Sequence, residues 1–221
     1  SDHHPYENLA IYILDQLTLI QSYEFEDRAN LISFLDIPDD NSIGGVFNPI
    51  YENVSGIIGE AVSTVPLNGG WVGSLDDVEC TKGYWLKIHE ENDSLSIVGS
   101  GNCSMDQEYS ISTGPNLISY PLYQNQTIQG SLPDYVEEGL FGIITDGSSA
   151  IIIDGNWVGS LTGLGLSPKQ GYWLLSNDDM EFSYEIEDQS LAKRPPINHN
   201  LYRELPVEFS VLHSTTQAFV Y

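Results

Sequence analysis

One segment of this chain recurs 86 residues further along, and this internal repeat constrains the fold more than any other feature of the sequence. Aligned without gaps, residues 30–75 and 116–161 are identical at 16 of 46 positions. The pentapeptide Trp-Val-Gly-Ser-Leu occurs unchanged at 71–75 and at 157–161. A later motif, Gly-Tyr-Trp-Leu, also occurs twice, after an insertion of two residues. Self-similarity at a fixed period predicts two copies of one folding unit.

The repeat predicts the domain organisation, which the length of 221 residues alone leaves open. A first module covers residues 1–103 and includes a longer front end. A second module covers residues 104–190. We expect residues 191–221 to contain a linker and the opening strand of a further, truncated unit. We expect the apolar-rich segment 209–221 to pair with an existing sheet edge, in this chain or in a neighbouring copy, which would be a route to self-association.

Within each module, signals for short strands alternate with turns and with one signal for a short helix. The helix is predicted at 42–47 and at 127–136, each capped by a hydroxyl at its first position. The Gly-Tyr-Trp-Leu strands are predicted to form hairpins with the strands that follow, through turns at 91–93 and 177–179. Residues 9–20 fit a helix or paired strands, and strands are favoured. The fold class is therefore β-rich α+β or a sandwich: two tandem homologous modules, each a mainly antiparallel sheet with one short helix.

The charge balance excludes two classes of partner. The chain has 32 acidic residues and 7 basic residues, so its formal net charge is −25. A nucleic-acid-binding protein needs Lys and Arg to displace counterions from phosphates, and an anionic membrane surface attracts basic segments. The apolar run at 9–14 is also much shorter than the roughly 18 residues that cross a bilayer. The sequence predicts neither a nucleic-acid partner nor membrane insertion.

The two cysteines suggest a disulfide. If a hairpin turns about residues 91 and 92, Cys80 and Cys103 lie directly opposite each other. Opposed residues in an antiparallel pair have Cα atoms about 4.5–5.5 Å apart, which suits a disulfide. The alternative is two free buried thiols. A bridge between Cys80 and Cys103 would indicate an oxidising, extracytoplasmic location.

A set of motifs carried by residues 116–174 resembles a known module. The motifs are Asn-Leu-Ile-Ser-Tyr-Pro, Gly-Ile-Ile, Trp-Val-Gly-Ser-Leu and Lys-x-Gly-Tyr-Trp. Together they resemble a tandem repeat module of multi-domain surface or secreted proteins from uncultured marine bacteria. The likeness covers 30–99 and 116–185, and the first copy departs from it with Phe34-Leu35 in place of Tyr-Pro. The resemblance implies an extracellular or cell-surface modular protein with no established catalytic residues.

Acidic pairs in predicted turns are weak candidates for a metal site. Asp39 and Asp40 open a stretch that looks like a Ca²⁺-binding loop, but isoleucines stand at its fifth and twelfth positions, where ligands are required. Asp178 and Asp179 form a similar pair. Solvated turns are the expected state, so the sequence predicts no cofactor and leaves Ca²⁺ binding as an alternative.

The sequence carries no recognisable catalytic pattern. The Trp-Val-Gly-Ser-Leu motif lacks the second Gly of a nucleophile elbow. The second module contains no His, so His89 of the first module has no counterpart there. Carboxylate pairs exist in any chain this acidic and identify nothing without geometry. The sequence predicts a protein that is not an enzyme and has no catalytic residues.

Adjacent aromatic residues are the candidates for ligand binding: Tyr84, Trp85, Tyr172 and Trp173. Neighbouring residues on a strand face opposite sides, so one aromatic ring of each pair points away from the core. Such a ring would stack on a sugar or anchor a protein, unless a loop or the other module covers it. Trp71 and Trp157 are predicted to lie in the cores.

Two functions fit these observations. The favoured one is a non-catalytic extracellular structural, adhesion or interaction module of a larger surface or secreted protein, with a protein or glycan partner. The alternative is a carbohydrate-binding module that uses exposed Tyr and Trp, with or without Ca²⁺. A hydrolase is a third and weaker hypothesis, because it would need a pocket where titratable groups converge.

Overall fold

The computed structural model describes residues 20–26, 28–89 and 94–186. The strand prediction at 9–20, apart from Ile20, and everything predicted for residues 191–221 lie outside the described residues.

Each module is built on a five-stranded antiparallel sheet, and the order of the strands is the same in both. In the first sheet the spatial order is β2 (Ala29–Ser33), β6 (Gly83–Ile88), β3 (Val54–Ile58), β4 (Ser63–Leu67) and β5 (Gly70–Gly73). In the second it is β9 (Gly114–Ile118), β13 (Tyr172–Ser176), β10 (Leu140–Thr145), β11 (Ser148–Ile153) and β12 (Asn156–Val158). This strand-by-strand match confirms the predicted β-rich fold of two similar modules.

A two-stranded sheet accompanies each large one. The first consists of β1 (Ile20–Glu24) and β7 (Ser94–Val98), and the second of β8 (Tyr109–Ile111) and β14 (Met180–Phe182). Alternate residues of β7 are buried and join one core cluster with side chains of β6 and β3. The second small sheet contributes in the same way to the second core. Each core therefore lies between a large sheet and a small one.

The predicted pairing of the Gly-Tyr-Trp-Leu strands with the strands that follow them is wrong. Strand β6 lies between β2 and β3, while β7 pairs with β1. Likewise β13 lies between β9 and β10, while β14 pairs with β8. Strands β6 and β13 are largely buried and have both backbone edges paired within the large sheets. Strand β7 has one buried and one exposed face, which suits a covering layer.

Short helices cover one end of each core. Helix α1 (Ile43–Phe47) begins after Ser42, whose hydroxyl accepts from the Gly45 backbone N–H at 2.9 Å. Thr127 accepts from Gly130 in the same way at the start of α2 (Ile128–Ser131). Both predicted caps are confirmed. The helix predicted at 127–136 is divided into α2 and α3 (Asp134–Gly139), because Pro133 has no backbone N–H to donate. A further short helix, α4, spans Leu161–Leu164.

The predicted turns before Trp71 and Trp157 are tight hairpin turns. Asn68 and Gly69 have φ values of 53° and 80°, and Asp154 and Gly155 have 49° and 75°. Two central residues with positive φ are typical of the type I′ turn, whose twist matches that of paired strands.

The two modules join through reciprocal contacts that follow the repeat. The Ser33 backbone N–H donates to the Lys169 carbonyl at 2.9 Å, and the N–H of Ser119, the counterpart of Ser33, donates to the carbonyl of Thr81 at 3.1 Å. Thr81 and Lys169 precede the two Gly-Tyr-Trp-Leu motifs by the same interval. Each module thus gives and receives the same bond, as in a two-fold symmetric interface.

Gly83 and Gly171 lie at the centre of this interface. A Cβ on Gly83 would lie 3.0 Å from Leu117 Cδ1 and 3.3 Å from the Gly171 Cα. A Cβ on Gly171 would lie 2.8 Å from the Ile32 carbonyl oxygen and 3.0 Å from Leu31 Cδ1. The backbones approach so closely here that a side chain at either glycine would push the modules apart.

Candidate interaction surface

The tyrosines of the predicted aromatic pairs are core residues. Tyr84 and Tyr172 are each 1% exposed, so a ligand at the surface cannot reach their rings. Their hydroxyls accept from the backbone N–H groups of Glu79 and Ser167, at 2.8 and 2.7 Å. Burial raises the pKa of Tyr172 to about 12 and raises that of Tyr84 further. Both tyrosines hold the loop that leads into their own strand.

The tryptophans of the same pairs lie on the opposite side of each sheet and are partly exposed. Trp85 is flanked in register by Leu31 on β2 and Ile58 on β3. Trp173 has equivalent neighbours on β9 and β10. Of the four predicted ligand-binding aromatics, the structure leaves these two accessible.

The Cys80–Cys103 disulfide is present, with a Cα–Cα distance of 5.5 Å, so the prediction is confirmed and the alternative of free thiols is wrong. The hairpin from which it was predicted does not exist. Cys80 lies in the loop before β6, and Cys103 lies in the loop after β7. The bridge therefore ties the small sheet's exit loop to the large sheet.

A buried aspartate anchors the same loop. Asp36 is 5% exposed, and its Oδ1 accepts from the backbone N–H groups of Asn102 and Cys103 at 2.8 and 3.0 Å. Its Oδ2 accepts from Gly101 at 2.7 Å. The counterpart of Asp36 in the second module is Leu122, so this anchor belongs to the first module alone. No motif surrounds Asp36, so the sequence carries no signal for this anchor.

The acidic pairs proposed as weak metal candidates belong to loops with hydrogen-bonding roles. Asp40 Oδ1 accepts from the Ser42 hydroxyl at 2.6 Å, before α1, and Asp39 is its exposed neighbour. Asp179 Oδ1 accepts from the Thr113 backbone N–H at 2.7 Å, and Asp178 lies beside it in the turn between β13 and β14. Within residues 20–26, 28–89 and 94–186, no three His, Cys, Asp or Glu side chains are grouped so as to hold a metal ion.

Trp71 and Trp157 lie at the edges of the cores, not inside them. Both are partly buried, and Trp71 packs edge-on against Phe47 and Tyr51. The Trp71 indole N–H donates to Asn48 Oδ1 at 2.9 Å. The Trp157 indole N–H donates to Glu137 Oε2 at 2.8 Å. The pKa of Glu137 is raised, mainly by burial, with the bond from Trp157 opposing the shift.

The side of each large sheet that faces away from its own core, here called the outer face, carries no acidic side chain. Register and alternation assign its members, because opposed residues in antiparallel strands share a face. In the first sheet they are Ala29, Leu31, Gly56, Ile58, Ser63, Val65, Leu67, Gly70, Val72, Trp85 and Lys87. In the second they are Pro115, Leu117, Gly142, Ile144, Ser149, Ile151, Ile153, Asn156, Val158, Trp173 and Leu175. The chain has 32 Asp and Glu residues, and none of them lies in the ten strands of the two large sheets.

Each outer face exposes four aliphatic residues, and the two sets occupy equivalent positions. We call each set an aliphatic patch. The exposed fractions of these eight side chains lie between 40% and 53%. The first patch is Ile58, Val65, Leu67 and Val72, and the second is Ile144, Ile151, Ile153 and Val158, each 86 residues later.

The first patch borders a shallow groove of about 440 Å³. Its floor includes Gly56, which has no side chain, and its walls include Ile58, Val65 and Lys87. The sequence carries one signal for the patches, because apolar residues recur at the same four positions of both copies, 86 residues apart. The exposure of these residues cannot be predicted from sequence, because exposed and buried faces of a strand are distinguished only once the sheet register is known.

No protein-family model, curated protein or solved structure matches this chain. Among the residues that the structure describes, no helix is long and apolar enough to cross a membrane.

Proposed function

We propose that this chain is a non-catalytic structural and interaction module of a larger extracellular surface or secreted protein. The observation that carries the proposal is the pair of aliphatic patches on outer faces without acidic side chains. Contiguous exposed apolar surface that is bordered by polar residues marks interaction sites or ligand-binding grooves.

The repeated residues support the same reading, because most of them have a structural task. In each copy, Asn30 or Asn116 closes the loop before its strand, with its side-chain oxygen accepting a backbone N–H at 3.0 or 2.8 Å. The glycines of the Gly-Tyr-Trp-Leu motifs join the modules, and the tyrosines hold loops. Because these repeated residues maintain the fold, the aliphatic patches remain as the exposed feature that both modules share.

The disulfide supports an extracellular location, since such bonds persist in oxidising compartments. A net charge of −25 opposes non-specific association, and it does so least on the outer faces, whose strands carry no acidic side chain. An adhesive protein needs this combination, because contact is then confined to a defined surface.

A bead-adhesion assay tests the proposal. Beads coated with the chain are placed on alkyl-coated, chain-coated and glycan-coated surfaces, and the bound fraction is counted. We expect wild-type beads to adhere to an alkyl or chain-coated surface, and beads carrying Val65→Lys and Ile151→Lys to adhere several-fold less. Equal adhesion of the two would contradict a role for the patches.

The partly exposed Trp85 and Trp173 support the second candidate, carbohydrate binding by ring stacking. The same assay separates the two functions. Adhesion to glycan surfaces alone, unaffected by Val65→Lys and Ile151→Lys but lost with Trp85→Ala and Trp173→Ala, would favour a carbohydrate-binding module.

A further inference from the structure

We propose that the aliphatic patches bind a second copy of this chain, sheet face against sheet face. This inference rests on the proposed function and names the partner of the surface on which that function depends.

The outer faces are continuous with the interface between the modules. Leu31 and Leu117 belong to the outer faces, yet they are only 2% and 0% exposed, because each packs on a glycine of the other module. The outer face therefore already binds a module of the same fold at its edge strand. From Leu31 the same face continues through Trp85 to Ile58 without interruption by a charged residue.

Electrostatic repulsion also favours contact through the outer faces. Two copies that each carry a net charge of −25 repel each other, and the repulsion is smallest where the contacting surfaces bear no acidic groups. The outer faces meet that condition in both modules. A basic partner would instead be attracted to the acidic remainder of the surface, and the patches would add nothing to its recognition.

The shape of the patches also suits a contact between sheets. Antiparallel sheets pack face to face at about 10 Å when side chains of both inner faces interdigitate. The patch residues are β-branched or leucine, and cross-strand neighbours such as Val65 and Val72 stand side by side on the first sheet. The same arrangement on the second sheet, with Ile151 opposite Val158, makes either patch a complement for the other.

Sedimentation velocity of the full chain tests the inference, over micromolar to several hundred micromolar protein. We expect reversible association that strengthens between about 0.05 and 0.5 M NaCl, because salt screens the repulsion between copies. The test variant carries Val72→Lys and Val158→Lys, which lowers the net charge from −25 to −23. Association should weaken on the order of tenfold or more although the repulsion is reduced, because the contact would bury two unpaired ammonium groups.

The control variant has the same charge and carries Leu164→Lys and Met105→Lys, at exposed apolar residues outside both sheets. It should associate at least as strongly as the wild type. Circular dichroism of both variants establishes that they are folded.

A wild type that stays monomeric at every concentration and salt level would overturn the inference. Association that persists in the variant with Val72→Lys and Val158→Lys would also overturn it. If that association is then lost on removing residues 209–221, it belongs to that segment. If the chain is monomeric but patch-dependent adhesion to alkyl surfaces persists, only the identity of the partner is wrong, and the proposed function stands.

Discussion

In the Trp-Val-Gly-Ser-Leu motif, individual residues of the repeat either maintain the fold or contribute to the surface. Ser74 and Ser160 accept with Oγ from the backbone N–H groups of Ser63 and Ser149, at 3.3 and 3.2 Å. The motif's leucine enters the core and its glycine lies against a neighbouring strand's backbone. Val72, in contrast, is 53% exposed and contributes to a patch. Four positions of the motif serve the fold, and one serves the surface.

Replacing Asp36 tests the anchor of the loop that follows β7. In Asp36→Asn an NH₂ group replaces one acceptor oxygen and faces backbone N–H donors, so we expect a loss of about 3 kcal/mol in the free energy of unfolding, measured with urea. Asp39→Asn at an exposed position is the matched control and should change it by less than about 0.5 kcal/mol. Equal effects of the two substitutions would show that Asp36 does not anchor the loop.

Alkaline pH should destabilise the protein through Tyr172. Its pKa is about 12 in the folded state against 10.0 ordinarily, so above pH 10 the unfolded chain loses a proton that the folded chain keeps. The contribution of Tyr172 to the free energy of unfolding is therefore fully present below pH 10. Between pH 10 and pH 12 it falls by about 1.4 kcal/mol per pH unit. Urea unfolding at several pH values should show a shallower decline for Tyr172→Phe than for wild type.

The exposed Tyr135 provides the control for that measurement. Tyr135→Phe removes a hydroxyl from an exposed side chain and shows what part of any change comes from a Tyr→Phe substitution as such. A decline in Tyr172→Phe as steep as in wild type would contradict the role assigned to burial of this hydroxyl.

At the scale of elements, the glycines between the modules carry a specific prediction. Gly83→Ala and Gly171→Ala each place a methyl group against the other module, at 3.0 Å from a leucine methyl and under 3.0 Å from a carbonyl oxygen. We expect each to lower the free energy of unfolding by roughly 1–3 kcal/mol. Gly163→Ala is the control, because nothing lies within 4 Å of a Cβ there. Hydrogen exchange of the Ser33 and Ser119 amides should accelerate only in the first two variants.

Strands, turns and helix caps were predictable from local sequence, whereas strand partners were not. The Asn-Gly and Asp-Gly turns and the caps at Ser42 and Thr127 depend on neighbouring residues alone. The choice of β1 as the partner of β7 depends on contacts between residues about 75 positions apart, which no local pattern encodes. The disulfide forms although β6 and β7 do not pair, because the loops before β6 and after β7 bring Cys80 and Cys103 together.

The repeat also extends further upstream than the sequence comparison recognised. The Tyr23 hydroxyl lies 3.0 Å from Gln21 Oε1, and the Tyr109 hydroxyl lies 2.9 Å from Gln107 Nε2. The spacing of Gln and Tyr is the same in both copies, 86 residues apart. Two identities in a divergent stretch are visible as a repeat only after β1 and β8 are seen in equivalent places. For the candidate site, sequence identified Trp85 and Trp173 but not the patches beside them.

At the scale of the whole molecule, charge should make stability depend on salt. With a net charge of −25, folding brings acidic groups together, and raising NaCl from about 0.02 to 0.5 M shortens the screening length several-fold. We expect the thermal unfolding midpoint to rise over this range. KCl should act like NaCl, since screening depends on ionic strength. A rise seen only in sulfate would point to strengthened apolar burial and contradict the electrostatic explanation.

The reciprocal backbone hydrogen bonds around Gly83 and Gly171 join two modules and leave no position for a third. Each module uses the edge strand β2 or β9 for this contact, and the opposite edge strands, β5 and β12, take no part in these bonds. In a longer tandem of such modules, we therefore expect the modules to associate in rigid pairs. Each pair, and not the single module, would then be the repeating unit of the array.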